Sequence, residues 1–217
     1  MLLTAKGGIM EEKNIPDIVV GRLPLYLRAL QQMVQAGGKL TSSQELAERL
    51  GVSAAQIRKD LSQFGEFGKQ GTGYNVKYLL ETIRRILHVD RDWDVVMVGA
   101  GELGSAVARY RGFTDRGFTI KMIFDSDPAK VGQVIGGYTI LDSAEMGKLI
   151  SEHGIQMAML TVPASEAQAV TDRLVKAGIK AILNYAPITI NVPEGVHIQY
   201  IDPALHLQRM AYYIHPV

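Results

Sequence analysis

The sequence predicts an α/β fold in two parts: a helical N-terminal part with a helix-turn-helix layout, then a parallel sheet with crossover helices. Three observations predict it. Apolar residues recur at helical spacing between Leu23 and about Leu87. From Trp93 onward, short apolar runs alternate with helical stretches, the rhythm of a parallel sheet. The first of those runs leads directly into a glycine-rich turn, Gly99-Ala100-Gly101-Glu102-Leu103-Gly104. The boundary falls in the short charged segment His88–Asp92. The predicted division is a loose tail over 1–14, a helical domain over 15–88, a sheet domain over 89–202 and a final helix over 203–217.

In the N-terminal part, Leu23, Leu27, Leu30 and Val34 mark a first helix that Gly37-Gly38 ends. Ser42 with Glu45 fits a capping box and opens a second helix that runs to about Leu50. Gly51-Val52 makes a tight turn. Ser53, with Gln56 three residues on, opens a third helix through about Phe64. Helix, short turn, helix is the helix-turn-helix layout. On the third helix Ile57 and Leu61 face inward, while Gln56, Lys59 and Ser62 face outward with Arg58 beside them. Gln, Arg and Lys are the side chains that read base edges or hold phosphates. Ser53, Gln56, Arg58, Lys59 and Ser62 are therefore candidate DNA contacts. Four glycines between Gly65 and Gly73 suggest a β-hairpin turn, or wing, that carries Lys69 toward a phosphate backbone. Leu79, Leu80, Ile83 and Leu87 mark a further helix over Val76–Leu87.

In the second part, the apolar strand Val95–Val98 precedes the Gly-x-Gly-x-x-Gly turn, and a helix from Leu103 to about Tyr110 follows it. That context makes the motif a dinucleotide fingerprint and the sheet Rossmann-like. Gly99 permits the tight turn, Gly101 lets backbone approach a pyrophosphate, and Gly104 allows close helix–strand packing. The helix N-terminus adds amides and a positive dipole end. A second strand, Thr119–Phe124, ends in Asp125, 21 residues after Gly104. An acid there accepts from a ribose diol and repels a 2′-phosphate, which favours NAD(H) over NADP(H). Asp127 is a second candidate for that role. Further strands are read at Thr139–Leu141, Met157–Val162, Ala181–Leu183 and Val196–Ile201. Thr161, Val162 and Pro163, and Asn184, Ala186 and Pro187, lie at strand ends where open sheets bind ligands, so they are candidates for the nicotinamide end. The final helix carries Leu205, Leu207, Met210, Tyr212, Tyr213 and Ile214, which need a partner surface and suggest dimerisation.

Composition bounds the remaining possibilities. The chain has no cysteine, which excludes a disulfide scaffold, a thiolate metal site and thiol-based redox sensing. No apolar run reaches the roughly 18 residues of a membrane span, and residues 1–10 lack a secretory leader pattern. A cytoplasmic protein with no metal and no membrane partner is expected. Residues 1–89 hold 12 Lys and Arg against 8 Asp and Glu, and the remainder 11 against 14, so the basic excess sits in the half expected to face nucleic acid. None of His88, His153, His197, His206 and His215 lies in a recognisable catalytic motif, so a dehydrogenase reading lacks its acid–base group. A nucleotide-binding module of ligase type would not carry the N-terminal helix-turn-helix.

Arg22–Arg28, Gln56–Ser62 with Phe64-Gly65, Gly99–Ala106 and Gly178–Asn184, in that order, closely resemble the Rex family of redox-sensing transcriptional repressors. The resemblance spans about Ile15–Tyr213. It implies a homodimer with a winged helix-turn-helix domain, a Rossmann domain binding NADH and NAD+ as effectors, and a C-terminal helix swapped between subunits. It further implies double-stranded operator DNA as partner, bound with NAD+ and released with NADH, and a regulator in place of an enzyme. By the same resemblance Arg58 and Lys59 contact DNA from the recognition helix, Lys69 from the wing, and Arg22 lies close to the phosphates. Arg28 and Asp202 match a pair formed across subunits in the NADH-bound state, with Tyr110 nearby. Glu102 and Pro203 depart from some members, which carry a basic residue in the glycine turn and an apolar side chain beside the nicotinamide.

Overall fold

The computed structural model describes residues 15–67 and 73–214, in two compact units divided between Asp90 and Arg91. The tail over 1–14 and the wing tip with Lys69 lie outside the described residues.

The first unit is built from α1 (Asp17–Val20), α2 (Leu23–Gln35), α3 (Ser43–Leu50), α4 (Ala54–Ser62) and α5 (Val76–Ile86). α3 and α4 begin as the serines predict. Ser42 Oγ accepts from the Glu45 amide and Ser53 Oγ from the Gln56 amide, both at 3.1 Å. The reciprocal half of the capping box is absent, because Glu45 Oε2 accepts from the Thr41 hydroxyl instead (3.0 Å). Gly51 ends α3 in the left-handed region. The apolar stripes of α2, α4 and α5 meet in one core of Leu23, Tyr26, Leu30, Ile57, Leu61, Leu79 and Ile83, all buried. α4 stops at Ser62, two residues before the predicted end at Phe64.

One pairing was not read from sequence. Strand β1 (Leu40–Thr41) lies antiparallel to β2 (Tyr74–Asn75), so the strand leaving the glycine-rich segment pairs with the approach to α3. Two-residue strands carry no period to detect. Asn75 then caps α5 by accepting from the Tyr78 amide (2.9 Å).

The second unit is a seven-stranded sheet. Its strands are β3 (Trp93–Val98), β4 (Phe118–Asp125), β5 (Val134–Ile135), β6 (Tyr138–Asp142), β7 (Met157–Leu160), β8 (Ala181–Asn184) and β9 (His197–Tyr200). Their order is β5-β6-β4-β3-β7-β8-β9, and every pairing is parallel except β5 with β6. Without the short edge strand β5, which the sequence reading missed, this is the doubly wound Rossmann order. The helices are α6 (Glu102–Arg109), α7 (Met146–His153), α8 (Ala164–Lys176) and α9 (Pro203–Ile214). β3 shows why its Val95–Val98 stretch is apolar on both faces: Val96 and Val98 enter the core shared with α7 and α8, while Val95 and Met97 enter the core shared with α6. The direction in which successive strands are added to the sheet reverses between β3 and β7, which leaves a crevice at their carboxyl ends.

Candidate cofactor and DNA-binding sites

The glycine turn occupies that crevice. β3 ends at Val98, and Gly99 follows with φ +102°. A side chain at Gly99 would stand 2.6 Å from the Thr161 carbonyl oxygen on the loop after β7. At Gly104 a Cβ would stand 2.0 Å from the Gly99 carbonyl oxygen. Both glycines are thus required by backbone lying against backbone. At Gly101 a Cβ would meet nothing within 4 Å, so that position opens outward. Thr161 ties the two loops together. Its amide donates to Val98 O (2.9 Å), and its hydroxyl lies 3.0 and 2.8 Å from the carbonyls of Val98 and Gly99.

α6 starts at Glu102 with Gly101 as its N-cap, and no side chain caps it. The first-turn amides therefore have no intrahelical or side-chain acceptor. An outward-opening glycine next to uncapped amides fits a dinucleotide pyrophosphate. Glu102 and Leu103 are exposed on this turn, and Glu102 supplies no cation to a pyrophosphate.

Asp125 ends β4 and is 7% exposed. Its Oδ2 accepts from the Ala100 amide (2.7 Å) and from Lys130 Nζ (3.2 Å), and its Oδ1 accepts from the Asp127 amide (2.9 Å). Burial pushes this carboxyl up, but the Asp127 and Ala100 amides and Lys130 outweigh it and hold it below the usual carboxylate range. The acid expected to hold a ribose also clamps the glycine turn. Replacing Asp125 by alanine leaves two amides without their acceptor, at about 1–3 kcal/mol for each one still buried. NADH affinity should fall roughly 10- to 100-fold by fluorescence titration. An unchanged titration would remove both the ribose and the clamp role. Asp127 faces its own turn, accepting from the Ala129 amide (2.9 Å).

Asn184 is buried at the end of β8 and braces its own loop. Its amide nitrogen lies 3.0 and 3.2 Å from the carbonyls of Ala186 and Ile188, and its oxygen accepts from the Ala186 amide (2.8 Å). Thr161 and Val162 are half-buried, Ala186 is buried, and Pro163 and Pro187 are exposed at the same edge of the sheet. Tyr110 is exposed and meets Phe113 edge-on at 5.0 Å. Asp202 accepts from the Ala204 amide (2.9 Å) at the start of α9, whose residues are all exposed.

In the first unit, Arg58 and Lys59 are exposed on α4, and Arg58 Nη1 donates to Ser43 Oγ (3.1 Å) at the start of α3. Ser62 is exposed and donates to the Lys59 carbonyl (2.8 Å). Arg28 is exposed on α2. Arg22 and Gln56 differ from a freely solvated reading, because both bind Asp60, which sequence reasoning did not single out. Asp60 Oδ2 accepts from Arg22 Nε (2.5 Å) and the Tyr26 hydroxyl (2.6 Å). Its Oδ1 accepts from Arg22 Nη2 and Gln56 Nε2, both 2.7 Å. Burial raises the Asp60 carboxyl, yet these donors outweigh it and hold it below the ordinary range. Burial and the adjoining carboxylate raise the Tyr26 phenol. The available signal was a carboxylate on the same helix face as Ile57 and Leu61, which needs partners when buried.

Among the described residues no group of His, Cys, Asp and Glu could hold a metal, and no helix is long and apolar enough to cross a membrane.

Two family models match separate stretches of the chain. A model described as a putative DNA-binding protein N-terminus matches residues 14–62, and one described as a CoA binding domain matches 90–188. The redox-sensing transcriptional repressor Rex of Roseiflexus sp. (strain RS-1) is 54% identical over 205 residues, which cover 94% of this chain and 92% of the relative. Rex of Streptomyces coelicolor (strain ATCC BAA-471 / A3(2) / M145) is 43% identical over 93% of this chain and 78% of its own. A crystal structure of RSP, a Rex-family repressor, with β-NAD+ and operator DNA superposes at TM-score 0.88, with 38% identity and 94% of each chain covered. RSP with β-NADH superposes at 0.85, with 36% identity over 94% of this chain and 95% of that one.

A helix-turn-helix unit joined in one chain to a Rossmann unit with a dinucleotide cradle defines a ligand-responsive transcriptional regulator. The chain belongs to the Rex family of redox-sensing transcriptional repressors.

Proposed function

We propose that this repressor binds inverted-repeat operator DNA as a homodimer, in the cytoplasm, and is released when NADH occupies the glycine cradle. The observation that carries the reading is the pairing, in one chain, of that cradle at the switch point with an exposed Arg58–Lys59 pair on a serine-capped α4. NADH and NAD+ share the adenosine half and differ in charge and planarity at the nicotinamide, so only that end can bias two dimer arrangements. The chain's own residues hold the shared part: the Gly99–Gly104 turn faces the pyrophosphate and Asp125 the ribose. Thr161, Val162, Pro163, Ala186 and Pro187 line the nicotinamide end, with Asn184 bracing the last of these loops. Arg28, Tyr110 and Asp202 respond to the reduced cofactor across the dimer, and exposed α9 is the element exchanged between subunits. Catalysis has no part in this reading.

A dimeric helix-turn-helix protein engages half-sites about one helical turn apart, ~34–36 Å, or a multiple of it. A coupling of ~1–3 kcal/mol between cofactor and DNA changes operator affinity by about 5- to 150-fold. Fluorescence anisotropy with an inverted-repeat duplex should show weaker binding with NADH than with NAD+ by a factor in that range. Equal affinity with both saturating cofactors would refute the switch. In the NAD+ state, Arg58→Ala with Lys59→Ala should weaken operator binding and flatten the log affinity against log salt slope by about 2. Binding that survives the double substitution at physiological salt would remove α4 as the recognition helix.

A further inference from the structure

We propose that Asp60 is a positioning residue for DNA reading. Its buried carboxylate locks the Gln56 amide and the Arg22 guanidinium into one unit, so it governs discrimination between operator and unrelated DNA more than affinity for DNA as such. The proposal rests on the DNA-binding reading above.

Asp60 is 0% exposed, and its two oxygens take four donors from three residues. A carboxylate in this state only accepts, so Gln56 must turn its NH2 group toward it. Gln56 is half-buried and sits one helical turn before Asp60 on α4. With one N–H on Asp60, the amide retains its Oε1 and a second N–H. An acceptor and a donor side by side are what bidentate recognition of adenine requires. A free glutamine would surrender rotamer freedom on meeting the base, whereas this one is already held.

Arg22 is fixed from the other side. Its Nε and Nη2 bind Asp60, and its side chain is 19% exposed. A guanidinium held this way cannot follow phosphates at any register, as a free surface cation does. Tyr26 closes the cluster from inside α2, one turn after Arg22. Replacing a buried ion pair by well-packed apolar residues is often neutral, so stability alone does not call for a carboxylate at this position.

The test uses the full-length protein with NAD+. The probes are an inverted-repeat duplex selected by the wild type from a random pool and a scrambled duplex of equal length and composition. Asp60→Asn should lower affinity for the selected duplex at least about tenfold while the scrambled duplex stays within about threefold, because the held Gln56 base contact is lost whereas a released Arg22 still meets phosphates at any register. NADH titration of the second unit should be unchanged. A selectivity ratio equal to wild type, or parallel loss on both duplexes, overturns the proposal. If Asp60→Asn does not fold by circular dichroism, Arg22→Lys decides it, since this leaves the Asp60 charge with one point donor in place of a fork. A lowered ratio supports the proposal, and an unchanged one overturns it. A wild type that selects no duplex at all sinks the DNA-binding reading instead.

Discussion

Replacing Gly104 by alanine is expected to weaken dinucleotide binding by up to roughly 100-fold and to destabilise the sheet unit. The new Cβ would lie 2.0 Å from the Gly99 carbonyl oxygen and 3.0 Å from Thr161 Oγ1. The first is a backbone atom on a turn that the Asp125–Ala100 bond also holds, so no side-chain rotation relieves the clash. Either α6 moves away from the sheet or the turn opens. Overpacking of this kind costs about 1–3 kcal/mol and occasionally more, and a contact this close to backbone belongs at the upper end. A loss of about 3 kcal/mol corresponds to roughly 100-fold in NADH affinity if the whole cost falls on the bound state. Gly101→Ala is the companion experiment. Its Cβ meets nothing within 4 Å, so the melting temperature should stay close to wild type. On the proposed reading NADH affinity should still fall, because the methyl group would fill the space assigned to the pyrophosphate. Differential scanning calorimetry with NADH fluorescence separates the two. Equal melting of Gly104→Ala and wild type would mean the cradle is looser than its geometry implies.

Arg22→Ala should destabilise the N-terminal unit by about 3 kcal/mol at neutral pH, the low end of the 3–5 typical for removing one partner from a buried pair. The low end applies because Arg22 is 19% exposed while Asp60 is fully enclosed. After the substitution Tyr26 and Gln56 still donate to Asp60, but its charge has no counterion. The pH dependence has a definite sign. The Asp60 carboxyl is held below its ordinary value in the folded protein. Its contribution is therefore complete above the unfolded value and is lost as pH falls through the lower folded one. Without Arg22, burial favours the proton and Asp60 takes it up at higher pH. The stability gap between wild type and variant should be widest near neutrality and narrow as pH drops toward the ordinary carboxylate range. Chemical denaturation of the full chain at a series of pH values measures the gap. A gap that is constant from pH 7 to pH 4, or below about 1 kcal/mol at pH 7, would show that the pair does not hold α2 to α4.

Long periodic segments were legible without coordinates. α2, α3 and α5 carry their apolar stripes in plain view, and Ser42 and Ser53 mark two helix starts that the hydrogen bonds reproduce. The turn Gly99–Gly104 was legible because its chemistry is local: a strand, a tight turn and a helix start within one stretch of chain. Asp125 followed from its spacing, yet its bond to the Ala100 amide was not foreseen, since that bond crosses 25 residues. From its place on the helix Gln56 is expected to face outward, and the family resemblance puts Arg22 close to the phosphates. The ligand they share lies 38 and 4 residues away and is buried, so nothing in either local pattern announces it.

By itself the chain dictates its helices, its central strands, the glycine cradle and the basic face of α4, because periodicity, capping and spacing act over a few residues. Folding alone decided the β1–β2 pair, the edge strand β5, the clamp of Asp125 on the turn and the Asp60 cluster. Each of those joins groups far apart in sequence, or too short to show a period, and their partners are chosen by which polar atoms the packed core shuts away from water.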